Sequence, residues 1–146
     1  MPFATMSKAI QAGLTYCAIV LGVGFLLGLL RVPFLVPRIG ERWAELAEMP
    51  IMAVVIYLAA GHILHRFPEI CSPRRSLIAG GLALVLAIAA ELTLAMIIQE
   101  RSIAQFISSR DKVSGSVYIA MLLVFAVMPR LRLSKHLAFS SQDHVA

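Results

Sequence analysis

The chain has 146 residues, 60% of them hydrophobic and 14% charged, with a formal net charge of +5. That is room for one domain, in a composition too apolar for an ordinary soluble one. The excess positive charge comes without a basic stripe interleaved with aromatics, so no nucleic-acid partner is expected; a lipid bilayer with an anionic leaflet is the natural attractor.

Four runs nearly free of charge, residues 9–30, 49–64, 77–98 and 113–128, predict an all-α integral membrane four-helix bundle running up-down-up-down. The first and third can cross a hydrocarbon core of ~30 Å at ~1.5 Å per residue; the second and fourth reach only about 24 Å and must borrow length from their flanks. The first run reads as a retained anchor and not a cleaved leader. Its apolar part is too long, no small-x-small site precedes the charged segment, and Tyr16 stands before Cys17 where a lipoprotein box needs a small residue. Gly24 and Gly28 form a GxxxG pair in this run, the spacing of a close helix contact.

The connection to the second run, "GLLRVPFLVPRIGERWAELAEMPIMA", sets Arg31, Arg38 and Arg42 against Glu41, Glu45 and Glu48. At about 100° per residue, residues 38–48 predict an amphipathic connecting helix at the membrane interface. Its charges take one side; Ile39, Trp43, Leu46 and Ala47 take the other. Arg38 with Glu41 and Arg42 with Glu45 are i, i+3 neighbours, and Arg31, set among apolar residues, either snorkels to the interface or pairs with a partner such as Glu48. Pro50 is then expected to bend the chain into the second span.

His62 and His65 lie at the far end of the second run without a third or fourth ligand, so neither a metal nor a cofactor is expected. Cys17 and Cys71 fall too far apart for a disulfide. In the third run Ala79, Ala83, Ala87, Glu91 and Ala95 recur every four residues along one ridge. Small residues at that spacing, Ala83 and Ala87 among them, permit close helix approach, which would aim Glu91 into the bundle or an oligomer interface. A carboxylate that deep costs several kcal/mol on insertion scales, and that cost makes it a functional candidate. Tyr57, at matching depth in the second helix, is the expected donor to it.

Before the fourth run, "SSRDKVSGSVY" offers Asp111 with Ser114 as a helix N-cap. Residues 1–133 would form the membrane domain and residues 134–146 a polar cytoplasmic tail, loose in "SSQDHVA". Lys8, Arg66, Arg74, Arg75, Arg130, Arg132 and Lys135 lie on the side of the termini, against Arg31, Arg38, Arg42, Arg101, Arg110 and Lys112 on the other. Because glutamates match the arginines of the first connection, both termini are expected in the cytoplasm.

Two blocks, "RVPFLVPRIGERWAELAEMP" and "RDKVSGSVYIAMLLVFAVMP", resemble those of small four-span bacterial inner-membrane proteins. The resemblance covers residues 22–129 and implies the fold and an inner-membrane location, with no activity to carry over. This chain has Lys112 where that pattern has proline after the Arg-Asp pair. Small multidrug transporters also combine four helices with one membrane glutamate, but theirs lies in the first helix, which here has none.

The leading expectation is a non-enzymatic membrane protein that binds or moves a proton, small cation or amphipathic solute. Glu91 would be the protonatable site, Tyr57 its wall, and Arg31, Arg38, Glu41, Glu45 and Glu48 its gate. The alternative is an accessory subunit that docks a larger membrane complex through the alanine ridge and GxxxG; apart from that role, the expected partners are the lipid bilayer and a second copy of the chain. A lipid-modifying enzyme comes third, because phosphate-binding arginines are present without an evident nucleophile and base.

Overall fold

The computed structural model describes residues 2–98, 102–108 and 112–142. Gln99, Arg101, Arg110 and Asp111 lie outside the described residues, as do Asp143 onward and the Asp111 cap. Every element is helical: α1 (Pro2–Leu30), a π-type turn (Arg31–Leu35), α2 (Val36–Ile39), α3 (Glu41–Arg66), a 3-10 turn (Pro68–Ile70), α4 (Pro73–Ile98), α5 (Ile103–Ser108) and α6 (Lys112–Gln142). Four segments are long and apolar enough to cross a membrane: Met6–Ile39, Glu41–Arg66, Pro73–Leu94 and Gly115–Lys135. The chain is an all-α four-helix bundle of the multi-pass membrane class.

The bundle is four-sided, but chain order is not the order around it. α1 packs on α3 and α4, and α6 packs on α3 and α4, whereas α3 and α4 do not meet. A six-residue connection therefore spans the diagonal, and its 3-10 turn packs beneath α1 with Ile70 fully buried. The expected alternation of direction holds; the expected contact between consecutive second and third spans does not.

Small residues set the close seams. A Cβ on Gly13 would stand 3.0 Å from the Ala79 carbonyl oxygen of α4, and one on Gly80 would collide with the Ala126 backbone of α6. Ala9 and Ala12 on α1, with Ala79, Ala83 and Ala87 on α4, are buried in the same region. Backbones can approach there because nothing larger intervenes. Gly24 and Gly28 are not such positions: Gly24 meets only the Met52 methyl at 3.5 Å, and Gly28 has nothing near it.

The segment 38–48 is helical and two-faced, yet it is not a separate helix. Arg38 belongs to the continuation of the first span; Glu41 to Glu48 form the first two turns of α3, which runs on through Pro50. Gly40 divides them at φ 81°, ψ 161°, a conformation nearly restricted to glycine. The π-type turn just before it has a local cause. Pro33 and Pro37 lack the N–H groups that would bond the carbonyls four residues earlier, and the Val36 N–H reaches back five residues to Arg31.

At the other end α6 continues through Pro129 to Gln142, so the first residues of "SSQDHVA", 140–142, are helix where a loose segment was expected. We call the end bearing Pro2, Gln142 and the 3-10 turn the terminal end, and the opposite one the Gly40 end. The core lies toward the terminal end: Tyr16, Ile56, Ala60, Ile63, Ala83 and Phe125 belong to it. Toward the Gly40 end burial thins: among the residues whose burial is described, Ala44 on α3 and Ala87, one turn from Glu91 on α4, are buried there.

Candidate functional site

Two polar pairs stand in this thinly packed half. Arg31, at the first position of the π-type turn, reaches Glu48 on α3 at 3.1 Å and Glu45 at 3.9 Å. Its side chain is 26% exposed, against 16% for Glu48 and 13% for Glu45, so the pair is mostly withdrawn from solvent. The geometry is incomplete: Arg31 Nε is buried without a hydrogen-bond partner among the described residues. A half-buried ion pair with an unmet donor is held in place by its surroundings more than it holds them.

The second pair joins α4 to α6, where the Tyr118 hydroxyl donates to Glu91 Oε2. The expected phenol, Tyr57, lies on α3, which does not touch α4. Tyr57 also misses on depth: α3 begins at Glu41, which puts Tyr57 about 24 Å from that end, against about 10 Å for Glu91. Measured at ~1.5 Å per residue from the Gly40 end, Arg31, Glu48, Glu91 and Tyr118 all lie about 9 to 12 Å along their helices. Those helix ends are not at one depth: the contact of Gly13 with Ala79 and Leu82 sets Glu91 level with about Gly24, so the Glu91 and Tyr118 pair lies about 10 Å deeper than Arg31 and Glu48, at its own level on the opposite seam.

The rest of the anticipated cluster disperses. Arg38 and Glu41 are exposed on either side of the Gly40 break, which removes their i, i+3 relation. Arg42 is exposed, while Glu45 turns toward Arg31. Ile39, Trp43, Leu46 and Ala47 line a shallow apolar concavity on the other side, as their helical spacing implies. Trp43 is 65% exposed, fitting an interfacial aromatic.

Two side chains outside those pairs were not legible as special. Tyr16 is fully buried, stacks on Phe125 with ring centroids 4.5 Å apart, and donates its hydroxyl to the Phe125 carbonyl at 2.8 Å. Arg132, one of several interfacial cations by sequence, lays its guanidinium over the Tyr57 ring at 4.0 Å and presses against Gly61. The signal for the first was available: a proline four residues after Phe125 leaves that carbonyl in need of a donor.

Among the described residues no three His, Cys, Asp or Glu side chains cluster as a metal site. Cys17 is buried in α1 and Cys71 is exposed in the α3–α4 connection, where burial of the sulfur first, and Glu69 second, push its thiol pKa up. His62 and His65 are exposed near the end of α3. No protein-family model, curated protein or solved structure matches the chain.

Proposed function

We propose that the chain is a bacterial inner-membrane protein, both termini cytoplasmic, that binds or moves a proton, small cation or amphipathic solute at a polar centre around Glu91. The observation that carries this reading is the Glu91 and Tyr118 pair, a carboxylate held by a phenol between two apolar spans, about 10 Å deeper than Arg31 and Glu48 on the opposite seam. A carboxylate hydrogen-bonded by one phenol keeps acceptor capacity for a proton or cation. Arg31 and Glu48 across the bundle add to its field. The location and orientation rest on the resemblance to four-span proteins and on the cations at the terminal end. Flux through reconstituted protein, with and without a titratable group at position 91, tests the reading.

An accessory-subunit role is the second reading. Ala79, Ala83 and Ala87 are buried inside the bundle and unavailable to a partner, but Gly22 and Gly28 have nothing within 4 Å of where a Cβ would stand. That leaves small-residue positions on α1 open to another membrane helix. A stoichiometric partner retained through purification supports this role; a lone chain or homo-oligomer counts against it.

A further inference from the structure

Arg132 occupies an unusual place for a cation near a membrane surface. A helix tilts its side chains toward its own N-terminus, which on α6 carries this guanidinium into the bundle and away from the terminal end. It arrives over Tyr57, which lies about 24 Å from the start of α3 and about 14 Å from its end at ~1.5 Å per residue. Snorkelling would have carried it the other way.

The slot is built for it. A Cβ on Gly61 would coincide with the guanidinium, so the absence of a side chain there is what admits Arg132. The Tyr57 ring covers one face of the guanidinium, and a stacked guanidinium keeps its in-plane N–H groups free to donate. Among the described residues no carboxylate comes within ion-pair distance of it. Arg130 and Lys135 on α6 with His65 and Arg66 on α3, all exposed, continue toward the terminal end. Glu69 is the one carboxylate described there, beyond the end of α3. A partly buried, forked cation without a counter-charge, approached by a row of further cations, needs an oxyanion.

We infer that the α3–α6 seam is a binding site for the phosphate of an anionic phospholipid, with Arg132 as the donor fork, Tyr57 and Gly61 as its seat, and the exposed cations as the approach. The site lies apart from Glu91 and stands whether or not that residue transports anything.

Native mass spectrometry of the purified chain in detergent tests it, with phosphatidylglycerol or phosphatidylcholine added at equal ratios. Phosphatidylglycerol retention is expected to exceed phosphatidylcholine retention about tenfold, the scale of one bidentate charge-assisted contact. Arg132→Gln should bring the two to parity, and Arg74→Gln, on an exposed side chain at the start of α4 and off this seam, should leave the preference intact. If the glutamine variant does not fold, Arg132→Lys keeps the charge but loses the fork and should still weaken the preference several-fold. Lipid retained against millimolar inorganic phosphate supports the head group as ligand; displacement supports the same site with a soluble oxyanion. Equal retention of both lipids by the intact chain, or equal losses from Arg74→Gln and Arg132→Gln, overturns the proposal.

Discussion

The Tyr16 hydroxyl donates to the carbonyl of Phe125, the acceptor that loses its helical donor because residue 129 is proline. One side chain of α1 thus completes the hydrogen bonding of α6, and its ring stacks on the residue it serves. In hydrocarbon an unmet backbone carbonyl is costly, and a neighbouring hydroxyl is one of few available remedies.

Tyr16→Phe should therefore cost about 1 to 2 kcal/mol while preserving the stack. The informative comparison is a double-mutant cycle with Pro129→Ala, which returns an N–H to position 129. In that background Tyr16→Phe is expected to be nearly neutral, read by denaturant unfolding in detergent. Equal costs in both backgrounds would disprove the coupling.

Gly40 and Gly28 offer a contrast between two glycines of one segment. Gly40→Ala should lose about 1 to 3 kcal/mol, because its backbone lies where a side chain strains although the surrounding space is open. Gly28→Ala should lose nothing, since the added methyl meets no neighbour. Thermal unfolding of both variants decides the matter. A large loss at Gly28 would reveal a partner helix on that face.

Removing either half of the Arg31 and Glu48 pair leaves a mostly buried charge uncompensated. Arg31→Gln and Glu48→Gln are each expected to destabilise by about 1 to 3 kcal/mol, reduced from a fully buried pair by the remaining exposure. The double variant should cost less than the two singles together. Strict additivity would mean that the two side chains do not interact.

Cys71 reports orientation, with buried Cys17 as the silent internal comparison. A membrane-impermeant maleimide should label Cys71 alone, and only from the face that bears the termini. Because its pKa is raised, less thiolate is present near neutral pH than in an unperturbed cysteine. Labelling should accordingly accelerate as pH rises beyond the usual thiol range. Labelling from the opposite face would reverse the proposed topology.

Much of the fold was legible because membrane spans are written as charge-free length, and the alanine ridge because its four-residue spacing is a helix face. What sequence could not supply is adjacency. Tyr57 matches Glu91 only if the second span starts at residue 49; α3 starts at Glu41, which sets Tyr57 nearer the terminal end, and α3 and α4 are diagonal, so Tyr118 is the donor. The GxxxG spacing misled for a related reason: Gly24 and Gly28 could pack closely, but no helix comes close enough, while Gly13 and Gly80 lack a partner glycine at that spacing. Arg132 was hidden among ordinary interfacial cations, because its direction depends on which helix faces it and on a glycine in that helix.

The most direct test of the central claim is cation and proton flux in proteoliposomes, comparing the intact chain with Glu91→Gln. That substitution keeps the shape and a hydrogen-bonding group beside Tyr118 while removing the titratable carboxylate. The account expects flux in the intact chain and its loss in the variant at unchanged folding; equal flux in both, or none in either with both folded, would contradict it.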